Sequence, residues 1–271
     1  MLLRCDLAVN AIMNEVSQLA GVVSAIRHPA FSLQLANYLK QFLHFDHLLI
    51  LGCRQEKHPI YLFDSISSKR DFLFQRYLTG SYLEDPFYRH AQQRDDSGVL
   101  RVQDVIKEPH AITRYAAQFS AATSMYDELC LFVHLDESRW LLLFIGCNEE
   151  NLARFNSNHR ELLRLQPLLE ALLRQHWGEH SFALSAAASD KTALQQFLQS
   201  ALNSFGTELL SKREQEITLL LIQGLDTQEI SVATGVAEGT VKNHRKKIYA
   251  KFRINSLSEL FQLFLTHLLS N

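Results

Sequence analysis

Cysteine is scarce and scattered: Cys5, Cys53, Cys130 and Cys147 form no CxxC pair and sit in apolar surroundings. That spacing excludes a disulfide framework and a zinc ribbon, and it fits free thiols in a reducing compartment. Long hydrophobic runs are missing too, since none approaches the ~18 residues that a membrane span needs. Asp6 and Glu15 interrupt the apolar N-terminal stretch, which therefore does not read as a signal peptide, and a cytoplasmic location without a membrane partner is expected. Net charge is almost absent, at −2 from 27 basic and 29 acidic residues, so any nucleic-acid partner must be met by a local surface. There is no Gly-rich phosphate loop, no HExxH and no ordered nucleophile with its base, which argues against an enzyme and implies no cofactor. His176 and His180 have helical metal-ligand spacing, but Gly178 lies between them and they read as helix-end histidines, so no metal site is expected. His44 and His47 flank Asp46 without a nucleophile beside them.

What is present is enough apolar residue, 47% of 271, to build one medium domain and one small one. Leu7, Ala11, Ile12, Val16, Leu19, Val22, Val23 and Ile26 recur every three or four positions and predict an amphipathic helix from Asp6 to Arg27, stopped by His28-Pro29. A second helix from Pro29 to about Leu43 follows. Two apolar runs of strand length, His44–Cys53 and His58–Asp64, flank the polar RQEK and predict a hairpin. Helical text over 68–78 leads into an aromatic-rich stretch punctuated by Gly, Asp and Pro. Beyond an extended segment GVLRVQDVI and a helix over 109–121, DELCLFVHL and RWLLLFIGC flank Asp136, Glu137 and Ser138 as the clearest hairpin in the chain. A Leu-heavy helix spans Asn156 to Trp177, with Pro167 either kinking it or starting a second segment.

The expected fold is an α+β N-terminal domain, an antiparallel sheet flanked by helices over residues 1–180. An Ala- and Ser-rich linker with a short amphipathic helix covers 181–207, and an all-α four-helix domain covers 208–271. In that last part eight basic residues face seven acidic ones.

Within it, Ser211 and Glu214 form a capping box for a helix burying Ile217, Leu220 and Leu221, with Ile222 a further candidate, and Gly224 ends that helix. Asp226 and Glu229 repeat the spacing, and Gly235 supplies the sharp reversal of a helix-turn-helix. The next helix, Glu238 to about Phe252, points Val241, Ile248 and Phe252 inward, with His244 or Tyr249 nearby. Six basic and no acidic residues lie between Lys242 and Arg253. Such a helix suits the major groove of double-stranded DNA, where cations displace counterions from phosphates and an Asn or Lys reads base edges.

The segments LSKREQEI, GLDTQEI, GTVKNH and IYAKF resemble the C-terminal DNA-binding domain of LuxR/NarL-type bacterial transcription regulators. The resemblance implies a third helix that enters the groove and a fourth, Ser256 to Leu268, that helps dimerisation. It places Lys242, Asn243 and Lys246 on bases and Thr240, His244, Arg245 and Lys247 on phosphates. Ala237 stands where the family has a capping Ser, and Thr234 is a neighbour that could supply the cap instead.

The N-terminal part lacks the paired carboxylates of a phosphorylated receiver. Its order of elements resembles GAF-like and autoinducer-binding-like sensor domains, and Arg76–Ala91 resembles the Tyr…Asp-Pro stretch of acyl-homoserine-lactone receptors. The resemblance implies Tyr77 and Asp85 at a quorum-sensing-like ligand site, and a largely apolar pocket lined by these two with Tyr82, Phe87, Tyr88, Tyr115 and Tyr126 is the functional reading, with plain core packing the competing use of the aromatics. Phe72, Leu73 and Phe74 occupy the positions where those receptors carry a Trp, which argues against a homoserine lactone. Asp85-Pro86 also reads simply as a helix cap and first helical position. The expectation is a homodimeric regulator gated by a small-molecule effector. The alternative is a ligand-independent regulator whose N-terminal domain binds a protein partner or dimerises. The helix over 156–177, with the N-terminal helix as a further contributor, is the candidate dimer contact, and packing on its own sheet is the competing use.

Overall fold

The computed structural model describes residues 2–55, 57–65, 81–123, 125–179, 182 and 200–270. The chain opens with α1 (Leu2–Ser24) and α2 (Phe31–Leu39), followed by the strands β1 (His47–Arg54) and β2 (Ile60–Asp64). A 3-10 turn (Ser81–Glu84) leads into α3 (Pro86–Gln92), β3 (Gly98–Arg101) and α4 (Pro109–Thr123). Then come β4 (Asp127–His134), β5 (Arg139–Cys147) and α5 (Asn158–Trp177). The helix expected over 68–78 lies outside the described residues.

The five strands form one antiparallel sheet in the order β2-β1-β5-β4-β3. Each predicted hairpin pairs internally, and the first strands of the two hairpins sit on either side of β5, which pairs with both β1 and β4. Register fixes which side chains share a face. Trp140 lies opposite Cys53 and His134, Phe144 opposite Leu49 and Cys130, and Gly146 opposite His47 and Glu128. Because side chains alternate along a strand, these residues look to one side, while Arg54, Gly52 and Arg139 look to the other. Helix α3 covers the first face: Phe87 meets Phe144 edge-on at 5.9 Å, and Tyr88 packs on Trp140 at 5.8 Å. On the second face Phe182 is fully buried over Gly52, where any Cβ would come within 2.6 Å of its ring. Helix α5 runs along β3 and β4.

Pro167 neither breaks α5 nor starts a second segment; the helix is continuous through it. The carbonyl that loses its partner belongs to Leu163, whose side chain is exposed, so water can take the vacant acceptor. His176 stacks on Phe31 at 4.0 Å and its Nδ1 accepts the Arg27 N–H, which closes the end of α5 against α2.

The C-terminal unit holds α6 (Lys212–Ile222), α7 (Thr227–Thr234), α8 (Glu238–Phe252) and α9 (Leu257–Ser270). Both predicted capping boxes are formed: Ser211 Oγ accepts from Glu214 N, and Asp226 accepts from Glu229 N, with each Glu returning to the cap N–H. Gly224 (φ +84) and Gly235 (φ +67) take the left-handed conformation that the two turns require. The core gathers Ile217, Leu221, Ile230, Val241, Ile248, Leu260 and Phe264. It also recruits Phe205, stacked on Phe252 at 5.2 Å, from the helical residues 200–204 and their end.

Candidate nucleic-acid interface and sensor face

Helix α8 starts without a side-chain cap at Ala237. Thr234 does not replace it, because its hydroxyl donates to the Ile230 carbonyl within its own helix. Val241 and Ile248 anchor α8 to the core, and this turns Thr240, Lys242, Asn243, Lys246 and Lys247 to the exposed side. Among the described residues the three lysines of that set have no ion-pair partner, so they keep their charge available for phosphates. His244 is half-buried and its Nδ1 has no partner. Arg245 leans back instead, 3.3 Å from Thr227 Oγ1 and from the Tyr249 hydroxyl, and so ties α8 to the start of α7. Lys251 belongs to the scaffold: it binds Glu214 at 2.7 Å, and with the Ser211 N–H it holds that carboxyl down at about 2.

The sequence-predicted pocket residues divide. Asp85 is buried at the start of α3, and its Oδ1 accepts from Phe87 N (2.7 Å) and Tyr88 N (3.2 Å), so the cap reading is correct for it. Tyr82, Phe87 and Tyr88 lie around it, Tyr82 edge-on to Tyr88 at 5.0 Å. Tyr115 reaches in from α4 and donates to Glu128. Tyr126 stands elsewhere, 46% exposed, with its hydroxyl bonded to Glu149. Tyr77 lies outside the described residues.

Sequence reasoning missed Trp140, Glu128, Cys53 and Cys130, which register brings to the same face. Burial pushes the Glu128 carboxyl well above the usual carboxylate range, and the Asp85 charge adds to this. Burial likewise raises the Cys53 and Cys130 thiols, which keeps both unreactive. An open cleft of about 510 Å³ lies beside this region, lined by residues of α3 and α4 that include Arg89, Arg114 and Tyr115.

The two units meet at the tip of the β1–β2 hairpin. Arg54, whose side chain is only 8% exposed, places Nη1 3.1 and 3.2 Å from the two Glu229 oxygens, and its Nη2 donates to the Gly224 carbonyl. Lys57 reaches Asp226 at 3.0 Å and Glu229 at 3.6 Å. His58 stacks on Phe261 of α9 at 4.8 Å. Arg54 needs an acid here, because its direct cross-strand neighbour is Arg139. Like charges directly opposite destabilise a sheet, and Asp136 neutralises only Arg139. The RQEK segment, expected as a plain polar turn, thus works as a clasp on the helix-turn-helix.

Residues 208–264 match the family model described as bacterial regulatory proteins, luxR family. The chain is 37% identical over 191 residues to a protein of Aeromonas salmonicida named as an HTH-type transcriptional regulator in the exeN 3′ region, covering 69% of this chain and 95% of that one. It is 34% identical over 56 residues to the response regulator protein TmoT of Ectopseudomonas mendocina, covering 21% of this chain and 26% of that one. Among solved structures, the VqsR LBD domain from Pseudomonas aeruginosa has a TM-score of 0.49 and 27% identity, covering 61% of this chain and 97% of that chain. Escherichia coli SdiA has a TM-score of 0.39 and 11% identity, covering 94% of this chain and 97% of that chain. With its capped helix-turn-helix and exposed basic helix, the chain belongs to the luxR family of bacterial regulatory proteins and is a DNA-binding transcription regulator, not an enzyme.

Proposed function

We propose that this regulator works in the cytoplasm as a homodimer whose N-terminal domain senses a small molecule and gates dimeric DNA binding through the β1–β2 clasp. The observation that carries the reading is the adjacency of Cys53 and Arg54. Consecutive strand residues point to opposite faces, so a shift of β1 at the aromatic face moves the residue that grips Glu229. The clasp holds α9 through Phe261, and α9 is the helix that the family resemblance assigns to dimerisation. Clasped, two copies cannot pair through that surface; released, they can span two half-sites about one helical turn apart. Thr240, Lys242, Asn243, Lys246 and Lys247 are the proposed DNA contacts, with His244 and Arg245 on the flank nearest α7. Tyr82, Asp85, Phe87, Tyr88 and Tyr115 are the proposed ligand contacts, and Tyr77 is retained from the sequence.

The test is mass spectrometry of the intact protein under native and denaturing conditions, paired with DNA-binding anisotropy before and after ligand removal. Extra mass lost on unfolding, together with a change in DNA affinity, is the expected result. No lost mass and an identical affinity would move the balance to a ligand-independent regulator with a protein-partner module.

A further inference from the structure

The cleft between α3 and α4 is a site of its own, apart from the aromatic face, and helical spacing builds its walls. Phe87, Tyr88 and Ala91 form the buried side of α3. Pro86, Arg89, His90 and Gln93, three and four residues apart, line the cleft of about 510 Å³ from the other side of that helix. Ala111, Arg114 and Tyr115 repeat the spacing on the facing wall of α4. The volume falls within the ~300–1,000 Å³ range of small-molecule sites.

Its cationic groups are unspent. Arg89 gives its Nε–H to the Leu83 carbonyl at 2.6 Å, which fixes the guanidinium and leaves its two terminal nitrogens without a partner among the described residues. Arg114 is exposed and has no partner among them at all. Glu84 also lines the cleft, and it pairs with neither arginine. Nearby arginines do find acids: Arg94 takes Asp96 at 2.6 Å, and Arg101 takes Asp104 at 3.4 Å. The two in the cleft are thus left open in a chain whose net charge is −2. His90, edge-on to Phe132 at 5.7 Å, sits in the same positive field. Burial lowers its pKa, and with the Arg94 and Lys107 charges this outweighs Asp96 and Asp104, so the imidazole is neutral and offers one N–H.

A carboxylate or phosphate brought here would meet two forked guanidinium donors, with the His90 N–H and the Gln93 amide beside them. A cation would meet the same two charges as repulsion. Val105 and Ile106 add apolar surface that a bare inorganic ion would leave uncovered. We infer that the α3–α4 cleft binds an organic oxyanion, a carboxylate or phosphate carried on a short apolar group, with Arg89 and Arg114 pairing its charge and Glu84 opposing it. Binding here is independent of the clasp, since it requires neither a change in DNA affinity nor an occupant of the aromatic face.

The test is calorimetry of the full-length protein at low salt with phenyl phosphate, phenylacetate, inorganic phosphate and benzyl alcohol. One or both aryl anions are expected to bind at least about tenfold more tightly than benzyl alcohol or inorganic phosphate, the scale of one charge-assisted hydrogen bond made or lost. The tighter of the two identifies the oxyanion. Arg89→Gln and Arg114→Gln remove charge at exposed positions outside the core, and each should weaken that anion about tenfold. Glu84→Gln should tighten it several-fold, a gain that damaged packing could not produce. Benzyl alcohol binding as well as the aryl anions overturns the charge assignment, and inorganic phosphate binding as well as they do overturns the apolar part. Parent affinity in both arginine variants, or no binding of either aryl anion, overturns the site.

Discussion

Replacing Arg54 with Ala should open the clasp and raise DNA affinity in the absence of effector. The substitution deletes the double contact to Glu229 and the bond to the Gly224 carbonyl. Hydrogen bonds to charged groups contribute roughly 1.5–3 kcal/mol. Glu229 is 34% exposed, and water will solvate it once it is freed, so the loss belongs in the lower part of that range, about 2 kcal/mol. At ~1.4 kcal/mol per decade, the clasped-to-open ratio falls on the order of thirtyfold, and apparent DNA affinity can rise by at most that factor. Hydrogen exchange of residues 54–60 and 224–230 reports the opening, and fluorescence anisotropy with a promoter fragment reports the binding. A double-mutant cycle with Glu229→Gln isolates the contact from any general weakening of β1, and a coupling of about 1 kcal/mol or more is expected. Gly224→Ala attacks the same contact from the other side: its Cβ would sit 2.7 Å from Ile60 Cδ1 at a φ of +84, so it should open the clasp as well. Unchanged protection at both segments, or a DNA affinity that falls in Arg54→Ala, would refute the reasoning.

His58 gives the clasp a pH dependence. Burial lowers its pKa, the Arg54 and Lys57 charges lower it further, and only the Pro59 carbonyl acts in the opposite sense. The clasped state therefore excludes a proton that the open state accepts. The clasp is at full strength above the ordinary value of 6.5 and weakens as pH falls below it, which hydrogen exchange at two pH values will show and His58→Phe should abolish. On DNA, Lys246→Ala should cost roughly 1–3 kcal/mol on the specific site if it meets a base. Lys247→Ala should weaken all sequences alike and reduce the salt slope by about one; a titration series in salt that leaves both variants at parent values rejects the groove assignment. Ala237→Ser supplies the missing cap of α8 and should stabilise the C-terminal unit by about 1 kcal/mol in thermal unfolding.

The DNA-binding unit was legible because its signals are local. Ser211 with Glu214, Asp226 with Glu229, and the two glycines each act within a few residues, and tertiary packing had no reason to override them. The sheet was legible as two hairpins, but its faces were not. Strands β1, β4 and β5 are buried on both sides, so alternation of apolar and polar residues vanishes and nothing in RWLLLFIGC says where Trp140 points. The Trp140–Cys53 and Gly146–Glu128 neighbours exist only through the β1–β5 and β4–β5 registers, which join segments ~20 to 90 residues apart. The polar RQEK turn hid the clasp for the same reason: a charged hairpin tip normally faces water, and only the placement of α7 shows that Arg54 does not. Tyr126 illustrates the converse error, since an aromatic residue close in sequence to the pocket strands ended on the outer surface.

The capping boxes of the C-terminal unit have a further consequence. Ser211 and Glu214, Asp226 and Glu229, and Ser256 and Glu259 all close their helix starts with atoms of the unit itself. Even Glu229, which the hairpin grips, returns Oε2 to the Asp226 N–H at 2.6 Å. The sheet therefore contributes nothing to these helix starts, and at a helix end it reaches only the Gly224 carbonyl, through Arg54. Residues 200–270 amount to a finished reading head carried on a borrowed handle. Under the proposed gating, opening of the clasp is a change of address, with a heat-capacity change set by the separated surfaces rather than by any melting.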